Sequence, residues 1–144
     1  MDGRKNDARY EDEISTMLHI LRAERRRRVI EIISREGKRE LRPVAKEIAA
    51  AEYDTPAGSV SNDQYQNIYV SLIQVHLETL DKEDVIIYNS DRKVIKPGPR
   101  LGIMYLTYTL VKLSIAHSWP MSEEVDGGEQ STDSPLHDFL ISDS

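Results

Sequence analysis

Apolar residues along this chain recur at two periods, one helical and one extended, and the places where the period changes mark out its elements. From 11 to 36 the spacing predicts helix. Ile14, Met17, Leu18 and Leu21 fall on one face, and a second set follows at Val29, Ile30, Ile32 and Ile33. A break near Ala23 separates these stripes into two helices, and Gly37 stops the second as a C-cap. Residues 39–42 fit one short edge strand. Pro43 suits the first turn of a further helix, where its missing N–H costs nothing, and Val44, Ile48 and Ala49 give that helix its stripe up to Tyr53. Pro56 and Gly58 mark 54–61 as a loop. A third helix is expected over 62–82, with Tyr65, Ile68, Tyr69, Leu72, Val75 or His76, and Leu80 recurring along it. The period then drops to that of a strand at 85–88. Asn89, Ser90, Asp91 and Arg92 form a turn, 93–96 returns as a second strand, and Pro97-Gly98-Pro99 ends the hairpin. A long apolar stretch, 101–118, closes the patterned part.

An α-rich start closed by one β-hairpin is the order of a winged helix. The expected fold is therefore mainly α with a small β-hairpin: a winged helix-turn-helix with an added C-terminal helix. The division that follows is a disordered N-terminus at 1–10, the winged helix-turn-helix domain at 11–99, a C-terminal dimerisation helix at 100–119, and an acidic disordered tail at 120–144.

Charge changes the picture in one respect. The net charge is −6 over 144 residues, yet 121–144 holds seven acids and no Lys or Arg. Between Arg22 and Lys46 there are ten basic residues against four acidic ones. An acidic total therefore does not exclude a nucleic-acid partner. Cysteine is absent, which removes disulfides and thiolate metal sites. Residues 1–13 are polar and charged with no apolar run, so no secretory signal is read there and a cytoplasmic location is expected. The 101–119 stretch is long enough to span a bilayer, but Lys112 lies inside it, and Thr, Ser and His interrupt it. A helix packing against its two-fold mate buries such a surface without a membrane, and a homodimer through this helix is the expectation.

The residues 74–86 (Gln-Val-His-Leu-Glu-Thr-Leu-Asp-Lys-Glu-Asp-Val-Ile) resemble the end of the recognition helix and the wing of arsenic-repressor-like (ArsR-type) winged-helix proteins. Those carry His-Leu, two residues, Leu, then Gly before an apolar strand; Asp84 stands here at the glycine position. Residues 18–30, with Arg25–Arg28 ahead of an apolar run, resemble the first helices of the same group. Together with 46–52 and 69–77, the chain is similar over about 14–97 to a haloarchaeal winged-helix family of unknown function. The resemblance implies binding of double-stranded DNA and control of transcription.

On that reading the third helix enters the major groove and presents Asn67, Ser71 and Gln74, with Val70 and Gln66 beside them. Asn and Gln can pair bidentately with adenine, and Ser can reach a base or a phosphate. Between 62 and 80 this helix has no Lys or Arg, so phosphate contact must come from elsewhere. Candidates are Arg42 and Lys46 at the start of the second domain helix and Arg92, Lys93 and Lys96 in the wing. Four consecutive arginines point in four directions on a helix, so Arg25–Arg28 reads as structural. Glu24 and Glu31 are positioned to pair with Arg28 and Arg27. The four histidines have no metal-ligand spacing, and His76 is expected to be a packed structural residue. No catalytic motif is present, so neither an enzyme nor a cofactor is expected. The alternative function is a winged-helix protein–protein interaction module without DNA binding.

Overall fold

The computed structural model describes residues 2–118; the expected acidic tail at 120–144 lies outside the described residues. Residues 1–113 group as one compact unit, and the described part of the second, from Ser114, is the end of the last helix. The order is α1 (Asp2–Arg22), α2 (Glu24–Glu36), β1 (Arg39–Glu40), α3 (Leu41–Glu52), α4 (Asn62–Ser71), a π-helical turn (Leu72–His76), α5 (Leu77–Lys82), β2 (Ile86–Asn89), β3 (Val94–Pro97) and α6 (Leu101–Ser118). Mostly helical, with a small antiparallel sheet and a C-terminal helix, the architecture is compatible with a winged helix.

The N-terminal expectation differs from the structure. Residues 2–10, read from sequence as disordered, lie within α1 although the side chains from Gly3 to Ser15 are exposed. No apolar periodicity marks them. A helix already nucleated downstream gains one backbone hydrogen bond for each residue it adds, so it extends without a buried face. The break at Ala23 occurs where the pattern places it, with Ala23 in an extended conformation.

What holds α1 to α2 is the arginine run. The guanidinium of Arg26 donates to the carbonyls of His19 and Ile20, and that of Arg27 to the carbonyls of Leu21 (2.6 Å) and Arg22 (3.0 Å). Two side chains thus satisfy all four carbonyls of α1's last turn, which the helix itself leaves short of partners, and place positive charge at its negative end. Arg28 pairs with Glu24 at 3.1 Å as expected. Glu31 does not pair with Arg27; its partner is Lys112 on α6, at 3.1 Å. Arg25 and Arg35 bridge α2 to α3 through Glu52 (2.7 Å) and Glu47 (2.6 Å). The Arg25 bond holds the Glu52 carboxyl below its ordinary range.

The expected edge strand is shortened to Arg39–Glu40, because Leu41 and Arg42 already open α3, and it joins the hairpin in one sheet. β3 lies centrally, antiparallel to both β1 and β2, in the order β1-β3-β2, with Tyr88 opposite Ile95 and Arg39 opposite Ile95 on the other side. The wing turn falls one residue later than the pattern placed it, so Lys93 belongs to the turn, with φ 55°. Its carbonyl accepts the N–H of Leu41 at 2.9 Å, which ties the wing to the start of α3. Asn89 shapes the turn by accepting from the N–H groups of Asp91 and Arg92.

One core runs under all of this. Ile20, Ile30, Ile33, Leu41, Ile48, Ile68, Leu72, Leu77, Leu80, Ile86, Ile95 and Met104 are fully buried. Asp84 has φ 61°, a left-handed conformation that Asp tolerates better than most residues. Behind it, Gly98 lies so close that a Cβ would sit 2.4 Å from the Asp84 carbonyl oxygen. The backbones are bound together there, Gly98 N–H to the Val85 carbonyl at 3.0 Å and Arg100 N–H to that of Asp84 at 2.9 Å. Gly98→Ala is therefore expected to destabilise the fold by roughly 1–3 kcal/mol, the usual cost of overpacking. Gly58→Ala, with open space around it, should leave the denaturation midpoint nearly unchanged. Equal midpoints for the two variants in urea titrations would contradict this packing.

Candidate nucleic-acid interface

The third helix starts with a capping box: Ser61 Oγ accepts from Gln64 N–H, and Gln64 Oε1 accepts from Ser61 N–H. From there it runs at ordinary period as far as Leu72. The next buried residue is Leu77, five positions on, and then Leu80. A regular helix cannot put residues five apart on one face. The π-helical turn at Leu72–His76 absorbs the extra residue and restores both leucines to the core. The expected stripe through Val75 is corrected accordingly: Val75 is 51% exposed, and Leu77 takes the core position.

His76 is packed inside this turn. Its Nδ1 lies 3.2 Å from Arg26 Nη1. Guanidinium cannot accept, so Nδ1 acts as acceptor and the ring is neutral with its proton on Nε2. Burial, with the nearby charges of Arg26 and Arg25, pushes its pKa below the ordinary value, against an opposing pull from Glu52. Arg26 is only 4% exposed, so one guanidinium connects the end of α1 to the reset point of the third helix. Sequence reasoning treated Arg26 and His76 separately. Nothing in local spacing joins residues fifty apart.

The opposite face of the helix is open. Asn67, Ser71 and Gln74, the three expected readers, line one shallow groove with Gln66, Val70 and Val75. Asn67 and Gln74 are exposed, and Ser71 is half-buried. Asn67 has a partner that the pattern did not suggest: its Nδ2 donates to the hydroxyl of Tyr53, at the C-terminal end of α3, at 2.8 Å. The groove residues carry one charge, Asp63 at the helix start.

The expected cations fall into two groups. Arg42 and Lys46 are exposed, one turn apart on α3, and flank α4 near Tyr65. The Lys46 ammonium lies 6.0 Å from the ring centroid, and the charge of Arg42 also acts on the phenol. Arg92 and Lys93 occupy the wing turn and Lys96 lies on β3, all exposed. Among the described residues none of these five joins an ion pair, while Arg25, Arg28, Arg35, Arg39, Arg100 and Lys112 all do. Lys38, next to β1, is a further exposed cation that the sequence reading passed over; it lies in a run of charged residues with no distinguishing spacing.

Helices α3 and α4 followed by the small antiparallel sheet, with the polar groove on α4 and the turn after it, are compatible with a winged-helix-like class of domain. The chain belongs to the DUF7344 family, a domain of unknown function, whose model matches residues 18–96. No curated protein and no solved structure matches it. No helix among the described residues is long and apolar enough to cross a membrane, and no three His, Asp or Glu side chains there gather as a metal-binding group.

The His76 environment has a pH consequence. In the unfolded chain His76 takes up a proton near its ordinary value of 6.5, whereas the folded site resists protonation. Stability is therefore full above that value and declines as pH falls below it toward the depressed folded value. Melting temperature should drop from pH 7 to pH 5. His76→Gln, which keeps an acceptor for Arg26, should flatten that slope. Glu52 adds its own loss only at more acidic pH, below its ordinary 4.5. An unchanged slope in the Gln variant would remove His76 as the cause.

Proposed function

We propose that this protein is a homodimeric, sequence-specific DNA-binding regulator of transcription, a winged-helix protein akin to ArsR-type regulators and to the haloarchaeal family that its sequence resembles. The third helix lies in the major groove. Arg42, Lys46, Arg92, Lys93 and Lys96 contact the phosphates. The observation that carries this reading is the pairing of an open polar groove on α4 with exposed cations on α3 and the wing that have no carboxylate partner. Arg25, Arg26, Arg27, Arg28, Arg35, Arg39 and Arg100 are consumed by carboxylates or carbonyls, whereas among the described residues these five, like Arg4, Arg9 and Arg22 on α1, are not and remain available for an external anion.

The dimer is supported by two apolar stripes left in solvent. On α1, Tyr10, Ile14 and Leu18 recur every fourth residue and are exposed. On α6, Ile103, Leu106, Leu110 and Leu113 are exposed, while Leu101 and Met104 are buried in the core and Tyr108 packs against it. Arg100 pairs with Glu13, which brings the start of α6 beside α1. A second copy covers both stripes and doubles the wing cations that a cation-poor reading helix needs. One observation favours a protein-interaction module instead: the reading face itself holds no cation.

Fluorescence anisotropy with duplex DNA across a salt series tests the reading. Affinity should fall steeply with salt, and Arg92→Ala or Lys96→Ala should lower the log–log slope by about 1 each if each holds one phosphate. Absence of salt-sensitive binding to any duplex would leave the protein-interaction module. In sedimentation, the wild-type chain should run as a dimer. Leu18→Glu and Leu110→Glu should give folded monomers, because both side chains are already exposed in the single chain. Wild-type monomers at tens of micromolar would sink the dimer.

A further inference from the structure

We infer that the open face of the third helix is built to read A·T base pairs, with Asn67 and Gln74 on adenine, Val70 on a thymine methyl, and Tyr53 setting the orientation of Asn67. This rests on the DNA-binding reading above.

The major groove shows each base pair as a distinct set of donors, acceptors and, for thymine, a methyl group. Guanine presents two acceptors and is read by Arg or Lys, and this helix has neither from Asn62 to Leu80. Cytosine presents a donor and is read by a carboxylate. The helix's carboxylates sit at its two ends, Asp63 in the first turn of α4 and Glu78 and Asp81 beyond the π-helical turn. Between them the groove is amide, hydroxyl and valine. Adenine offers one acceptor and one donor side by side, the complement of a carboxamide. Val70 is 43% exposed at the centre of the face, apolar surface that a thymine methyl would cover.

The Tyr53 contact makes Asn67 a directed reader. A carboxamide nitrogen has two hydrogens. One is given to the Tyr53 hydroxyl, at 2.8 Å, which fixes the amide plane and leaves the second N–H and Oδ1 for adenine N7 and N6. Gln74 follows two turns further along the same face. At about 1.5 Å of rise per residue, seven residues span roughly 10 Å, or about three base-pair steps of 3.4 Å. The recognised element in each half-site is thus a short A·T block with two adenines about three steps apart.

Selection of binding sites from a randomised duplex pool with the full chain, followed by anisotropy on the selected site, tests this. A·T pairs should dominate each half-site. Asn67→Ala and Gln74→Ala should each weaken the selected site roughly 5- to 150-fold, the worth of one bidentate contact, while leaving binding to a G·C duplex and the salt slope unchanged. Replacing thymine by deoxyuridine should cost about fourfold in the wild type and nothing further in Val70→Ala. Tyr53→Phe should lose preference at the Asn67 position alone. All four changed residues are at least partly exposed, so circular dichroism melts should stay close to wild type. Salt-sensitive binding without sequence preference, or with a G·C block selected, overturns the A·T reading and leaves the DNA-binding function standing. No salt-sensitive binding at all overturns both.

Discussion

The guanidinium of Arg26 is the junction on which the rest of the arrangement depends. A buried cation costs several kcal/mol unless its donors are taken up, and here no carboxylate is in reach. Its partners are the His19 and Ile20 carbonyls at the end of α1 and the ring of His76. The negative end of a helix dipole supplies part of the compensation, and the same bonds relieve α1 of carbonyls it cannot satisfy alone. Each side needs the other. Removing the arginine would strand the carbonyls of α1, and removing α1 would strand a charge in the core.

The consequence for the third helix is one of phase. His76 can meet Arg26 only because the π-helical turn re-aims the chain between Leu72 and Leu77. Upstream of that turn Ile68 and Leu72 face the core; downstream Leu77 and Leu80 do. With both halves anchored, Asn67, Ser71 and Gln74 are left on the opposite side. The orientation of the candidate reading face is therefore decided on the far side of the helix, by apolar burial and by one buried hydrogen-bonded cation.

Much of the fold was legible because local chemistry and tertiary packing agree. The break at Ala23, the stop at Gly37, the helix carrying Pro43 in its first turn and the positive φ at Asp84 each follow from the residue present and its neighbours. The errors fall where they do not agree. The four-arginine run reads as structural from its spacing, but the partners of Arg26 and Arg27 are carbonyls of the preceding helix, which no local pattern points to. A stripe of period 3.6 passes through Leu72 to Val75, and only the burial of Leu77 forces the extra residue. The Glu31 partner lies on α6 rather than one turn away. At the site, the face bearing Asn67 and Gln74 was readable from spacing, whereas the Tyr53 contact was not, because it crosses between two helices joined by a loop.

Under the proposed DNA-binding function, that crossing bears on how a helix face without cations would serve as a reader at all. Affinity for DNA comes mainly from phosphates, and discrimination from base edges; the two need not share one element. Here they are separated. Arg42 and Lys46 sit on α3, and Arg92, Lys93 and Lys96 belong to the wing, which the Lys93 carbonyl ties to the start of the same α3. Tyr53 closes α3 at its other end and holds Asn67. Under the proposed function one helix thus links the groups offered to phosphates with the one offered to a base, and register set by the first would pass to the second through a packed element. A cation on the reading face would add affinity on any sequence. Under the proposed function its absence would make the contribution of that face depend on hydrogen-bond fit, which is the condition under which a weak reader discriminates.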